Sequence, residues 1–191
     1  PRILFPDTWE EYRASRGKKA WETPRRLRRR IADELGEVRH VRIRTAGDAA
    51  AHGLEKSLDD LFGVFDKSWQ IESIRKAGVV TPEQVRRFYT GLAPAALAAG
   101  RLDLNLLYAG PRLVAYDFNL VHGKTVYMVF GCFDQELERF SPGTVLFVDE
   151  LMDSHARGDR IIELGGEYLG YKEQWAKNKV PSFRLRLRGR T

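Results

Sequence analysis

The sequence predicts an α+β fold in which a helical N-terminal segment precedes a strand-rich second half. Two observations carry this. Between Leu27 and Leu92 the apolar residues fall mostly at helical spacing, whereas from Leu102 onward they alternate with polar residues between turn signals. A length of 191 residues, with 43% hydrophobic and 30% charged residues, suits one packed domain, or one and a half, and excludes a disordered chain.

Taken in order, Thr23 and Pro24 ahead of Leu27, Ile31 and Leu35 predict a capped amphipathic helix that stops at Gly36. Its other face carries Arg25, Arg26, Arg28, Arg29 and Arg30. From Val38 to Arg44, Val41 and Ile43 alternate with Arg39, Arg42 and Arg44, the period of a half-buried strand. Leu54, Leu58, Leu61, Phe62 and Phe65, ahead of Trp69, form a helical stripe that belongs in the core. Thr81, Pro82 and Gln84 supply the cap, the N1 proline and the N3 glutamine of another helix, with Val85, Phe88 and Leu92 on one face. Pro94 is expected to interrupt or end it. Residues 1–80 are thus read as a helical flank with one strand, packed on a core spanning 81–191.

In the second half, Leu102, Leu104 and Leu106 alternate with Asp103 and Asn105 before the turn at Ala109, Gly110 and Pro111. Leu113 to Val121 returns, His122, Gly123 and Lys124 turn again, and Thr125 to Phe130 makes the third strand of a meander. After a loop from Cys132 to Phe140, the Ser141-Pro142-Gly143 run opens a helix with the apolar stripe Val145, Val148, Leu151 and Met152, closing near Gly158. A short strand at Ile161 to Leu164, a helix from Glu167 to Asn178 and a final strand from Ser182 to Leu187 complete a β-β-β-α-β-α-β order.

Lys and Arg number 32 against 26 Asp and Glu, for a formal charge of +6, which attracts anionic partners without choosing among a phosphorylated cofactor, tRNA or an acidic membrane. No aromatic residues interleave with the arginine run, so a solvated helix face is the first reading of it. No segment reaches the roughly 18 consecutive apolar residues of a membrane helix, and no signal-peptide pattern is present. Cys132 is the single cysteine, which builds neither a disulfide framework nor a cysteine zinc site and fits a reducing, cytoplasmic setting. The first residue is Pro1 rather than a methionine, consistent with a portion of a longer protein.

Two stretches can carry chemistry. At Ser141-Pro142-Gly143-Thr144 a helix N-terminus offers unpaired amides and the positive end of a dipole to a phosphate. Ser141 can cap, Pro142 has no amide to orphan, and Gly143 presents no side chain to a pyrophosphate. Taken alone, the run reads first as an ordinary helix cap. The second stretch is Glu163-Leu164-Gly165-Gly166-Glu167 with Tyr171, Lys172 and Trp175, in which glycines allow close approach of a ligand, Lys172 reaches an anion, and Glu163 or Glu167 accepts a proton. Taken alone, it too reads as a strand-to-helix loop with surface charges. His40, His52, His122 and His155 show no metal-ligand spacing, so no metal is expected, and Cys132 reads as a core residue before it reads as a nucleophile. Walker A, GxSxG and GxGxxG patterns are absent.

Residues 104–175, through LNLLYAGPRLVAYDFNL, TVYMVFGCFD and RFSPGTVLFVDELMDSHARGDRIIELGGEYLGYKEQW, resemble the GNAT acyltransferases of the CelD/BioF2-like group, relatives of the Fem peptidyltransferases. The likeness extends back through residues 6–37. It implies the GNAT fold, a mixed sheet with splayed central strands flanked by helices, and acetyl-CoA or another acyl-CoA as co-substrate bound between those strands. It further implies that amides after Phe130, at Phe130 and Gly131, polarise the thioester and that Ser141, Pro142, Gly143 and Thr144 hold the pyrophosphate. Glu163 is implied as general base, Tyr171 as proton donor to the thiolate, and Lys172 as a contact to phosphate or developing charge. The glutamine or arginine followed by a glycine-rich run of many GNAT proteins is reduced here to Arg139-Phe140-Ser141-Pro142-Gly143. The implied acceptor is an amine or hydroxyl, on a small molecule, a saccharide or a cell-envelope precursor. Alternatives are Fem-like transfer from aminoacyl-tRNA and a noncatalytic GNAT-like binding module. Many such relatives carry a preceding degenerate GNAT domain, so either that domain or a second copy of this chain is an expected partner.

Overall fold

Leu58, Leu61, Phe62 and Phe65 lie on one face of a helix and are buried together with Leu104, Leu106, Tyr116 and Phe118, which shows how the apolar stripes of the sequence meet. The protein is described by a computed structural model covering residues 1–165, 170–178 and 181, with the side chains of Gly170 and Tyr171 outside the description. In chain order the elements are β1 (Arg2–Leu4), α1 (Trp9–Ala14), α2 (Lys18–Leu35), β2 (Val38–Ile43), α3 (Ala46–His52), α4 (Leu54–Phe65), α5 (Trp69–Ala77) and α6 (Pro82–Ala98). Then follow β3 (Leu102–Ala109), β4 (Arg112–His122), β5 (Thr125–Phe133), a 3-10 turn (Gln135–Phe140), α7 (Pro142–Ala156), β6 (Ile161–Glu163) and α8 (Gly170–Glu173).

The strands form one mixed sheet in the order β1-β6-β5-β4-β3-β2. β5 and β6 run parallel, and the other neighbours are antiparallel. Helices α4 and α6 pack on one face with α5 beside them, and α2 and α7 pack on the other with α1. No helix of the described residues is long and apolar enough to cross a membrane.

Several boundaries differ from the sequence reading. α2 begins at Lys18 behind Gly17, not at Thr23, so Pro24 lies inside it. An interior proline costs a helix about 3 kcal/mol. Burial of Ala20 and Trp21, whose ring meets Trp9, Tyr12 and Trp175 edge-on, rewards the extra turn. α6 likewise runs through Pro94 to Ala98 because Ala93 and Ala96 are buried in the core. β5 continues to Phe133, two residues into the loop expected from Cys132. β1, α1, α3 and α5 were not singled out: each is short, and β1 shows as a strand only through its pairing with β6. Gly166, Glu167 and the final strand expected at Ser182 to Leu187 lie outside the described residues.

The feature that positions a site lies in the middle of the sheet. β5 pairs with β6 only from Thr125 to Tyr127 and then runs on to Phe133, with β4 as its one strand partner among the described residues. Where the two part, Phe118 opposes Phe130 and Asn119 opposes Met128, which leaves Val129 as an extra residue on β5. Such a bulge sharpens the local twist and turns its strand. Among the described residues the sheet therefore leaves a gap along the outer edge of Met128 to Phe133.

Candidate active site

The chain leaves β5 through the 3-10 turn and enters α7 at Ser141, the one non-glycine residue with positive φ among those described (φ 47°, ψ 53°). Left-handed backbone at a non-glycine residue is strained and concentrates at functional turns. Ser141 makes no side-chain cap; its amide donates to the Glu138 carbonyl at 2.9 Å, and the Thr144 amide closes on the Ser141 carbonyl at 3.0 Å. Pro142 has no amide, so of the four positions expected to face a phosphate only Gly143 keeps an N–H without an acceptor among the described residues. A Cβ at Gly143 would sit 3.6 Å from the Phe133 ring, which places the start of α7 against the last residue of β5.

On the α4 and α6 face, Phe130 stacks on Tyr89 at 4.7 Å and meets Phe65 and Tyr116. Gln70 of α5 donates its Nε2 to the Gly131 carbonyl at 2.8 Å and accepts from the Cys132 thiol at 2.8 Å. Burial pushes that thiol up to about 11, so Cys132 is a core residue with a neutral sulfur.

The opposite face holds a buried polar layer. Arg42 of β2 donates Nε and Nη2 to the two oxygens of Asp103 at 2.6 and 2.8 Å, and reaches Asp153 at 3.0 Å and Ser154 at 2.9 Å on α7. Burial opposes its charge, but the hydrogen bonds and negative charge of Asp103 more than offset this and hold the guanidinium protonated. Arg44 forms two 2.8 Å bonds with Asp159. His40 contacts Asn105 at 3.0 Å, and burial lowers its pKa despite that bond. Deeper in, Asn119 donates to Oε1 of Glu150 at 2.6 Å. Asp117 lies beside them, opposite Gly131.

The second sequence-derived cluster lies across the gap. Glu163 is held by Arg2 of the edge strand β1. Lys172 is buried and donates its Nζ to the Leu164 carbonyl at 2.7 Å, just past the end of β6. Tyr171 lies in α8 beside it. Phe130, Gly131 and Gly143 are thus gathered on the β5 side, and Glu163 and Lys172 on the β6 side.

Asp117, Glu150 and Gln70 were missed. Asp103, Asn105, Asp117 and Asn119 alternate with apolar residues, which reads as a strand with one wet face, yet α7 covers that face. The available signal was Glu150, Asp153 and Ser154 at helical spacing on a helix that must bury one side. His122 is exposed at the end of β4, one residue before the turn at Gly123 and Lys124, and His155 packs on Phe5 and Trp9. No group of three His, Cys, Asp or Glu among the described residues could hold a metal.

Comparison with known proteins places this architecture. The model of the acetyltransferase (GNAT) domain matches residues 18–173. No curated protein matches the sequence. Among solved structures, FemX is similar at TM-score 0.57 and 11% identity, over 87% of this chain and 52% of that one. The C-terminal domain of a putative lysylphosphatidylglycerol synthetase from Agrobacterium fabrum is similar at 0.54 and 14%, over 90% and 47%. An aminoglycoside acetyltransferase from an uncultured soil metagenomic sample, in complex with sisomicin, is similar at 0.53 and 11%, over 82% and 99%. The chain spans about half the length of the first two, and at these identities the likeness is one of fold. With a mixed sheet parted beside a helix N-terminus and a family model covering most of its length, the chain belongs to the acetyltransferase (GNAT) domain family.

Proposed function

We propose that this protein transfers an acyl group from acyl-CoA to an amine or hydroxyl acceptor, with the thioester lying in the gap between β5 and β6. The observation that carries the reading is the parting of the parallel pair after Tyr127, with the N-terminus of α7 abutting the end of β5. Bound acyl-CoA supplies an activated thioester. The residues present fit it. The outer edge of β5 beyond Tyr127 has no β6 partner, so the main chain around Phe130 and Gly131 can line an extended ligand and polarise a carbonyl. Gly143 offers a free amide to a phosphate, within the Ser141-Pro142-Gly143-Thr144 turn. Lys172 contributes positive charge at the end of β6, and Glu163 and Tyr171 are the proton-transfer residues that the family resemblance implies.

The acceptor is a small molecule or a saccharide in this reading. Thermal unfolding with acetyl-CoA and CoA, at low and near-physiological salt, with ATP as the control for general anion binding, tests it. A rise in Tm that is selective for CoA and resistant to salt is expected, because only native-state binding stabilises. A rise no larger than that with ATP would overturn it. Fem-like aminoacyl transfer has one observation in its favour: Arg25, Arg26, Arg29 and Arg30 are exposed along α2. It predicts tRNA binding that weakens steeply with salt.

A further inference from the structure

Asp117 and Glu150 form an acid pair at the edge of the gap. Asp117 of β4 opposes Gly131 of β5, and a Cβ on Gly131 would fall 1.9 Å from Asp117 Oδ1. The carboxylate therefore lies over the bare Cα of Gly131, on the part of β5 that β6 has left. Asp117 is only partly buried, whereas Glu150, on α7, has 0% exposure. Oε1 of Glu150 accepts from Asn119, and Oε2 is buried without a hydrogen-bond donor among the described residues.

A buried, ionised carboxylate with an unsatisfied oxygen is costly. Two adjacent carboxylates cannot both ionise cheaply. The charge of Arg42 relieves this only in part, against the stronger effects of burial and of the neighbouring acids. Asp103 of β3 adds a third acid, the guanidinium of Arg42 is committed to Asp103, Asp153 and Ser154, and Asp149 of α7 is held by Arg28. Tyr116 and Cys132, the other titratable groups close by, are neutral, each pushed up by burial.

We infer that Glu150 is a neutral carboxylic acid that donates Oε2–H to Asp117, and that Asp117 takes the proton from the attacking amine or hydroxyl. This rests on the acyl-transfer reading above. The acceptor's lone pair forms the new bond to the thioester carbonyl carbon, its proton passes to Asp117 in place of Glu163, whose carboxylate is paired with Arg2, the C–S bond breaks, and the thiolate leaves with a proton from Asp117 or solvent. Glu150 acts through Asp117 as a positioning residue. Burial supports the assignment by raising Glu150 well above the carboxylate range and Asp117 up to about 7, the latter in spite of the bond from Glu150.

Two measurements test it. Infrared spectra in D2O at pH 8 should contain the carbonyl band of an un-ionised carboxylic acid that Glu150→Gln removes; its absence from the wild type would overturn the pair without any kinetic assay. Thiol release from acetyl-CoA, with a panel of small primary amines and amino sugars as acceptors, should fall away below pH 7, as Asp117 becomes protonated and can no longer accept a proton. Asp117→Asn should lower kcat by about 10²-fold or more and remove that limb, while acetyl-CoA still raises Tm. A wild type that releases no thiol overturns acyl transfer itself. A wild type that does, beside an Asp117→Asn variant of similar rate and pH profile, overturns only the role of Asp117.

Discussion

Gly131 is required by its neighbour across the ladder rather than by its own backbone. A methyl group there would overlap Asp117 Oδ1 and sit 3.1 Å from Cγ, and moving Asp117 aside would disturb its hydrogen bond with Glu150. Gly131→Ala should therefore lose about 1–3 kcal/mol in urea unfolding. Asp117→Ala in the same molecule should recover part of that loss, since contacting residues couple; strict additivity would refute the contact. Gly143 differs in kind. Space for a side chain exists there, and what distinguishes it is an amide left without an acceptor at the entrance to α7.

At the scale of elements, the caps that the sequence spells are formed. Thr81 accepts from the Gln84 amide at 3.2 Å while the Gln84 side chain accepts from the Thr81 amide at 2.8 Å, a reciprocal capping box at the start of α6. Thr81→Ala should cost about 1 kcal/mol of stability, read by chemical denaturation. The same box closes α1 through Thr8 and Glu11 and α3 through Thr45 and Asp48. Prolines were less legible than caps. Pro24 and Pro94 signal a helix boundary to anyone reading locally, and only the apolar partners of Trp21, Ala93 and Ala96 make continuation worthwhile. The turn before α7 shows the converse: Ser141 reads as a side-chain cap but adopts left-handed backbone and bonds back to Glu138.

Across the whole molecule, Arg42 ties the edge strand β2 to β3 and to α7, joining residues 61 and 111 positions apart in sequence. Arg42→Met should destabilise by about 3–5 kcal/mol, because Asp103 would remain buried and unpaired. Adding Asp103→Leu should restore much of the loss in the same denaturation experiment. A small effect of the single substitution would mean that the network is incidental to stability.

The fold class, the β3-β4-β5 meander, the α4 stripe, the strand β2, the stop at Gly36 and the opening of α7 at Pro142 were all legible in the sequence. These are local facts, set by periodicity and by residues whose own chemistry caps, turns or breaks a chain. So was the resemblance to the GNAT family, which the match over residues 18–173 establishes. Three things waited for the tertiary structure. β1 becomes a strand only because β6 offers it an edge. The gap lies where β6 ends at Glu163 and Val129 bulges on β5, a coincidence that only strand pairing reveals. The acid pair of Asp117 and Glu150 takes its character from burial between a strand and a helix more than thirty residues apart, a property that no residue carries until the sheet and α7 close over it.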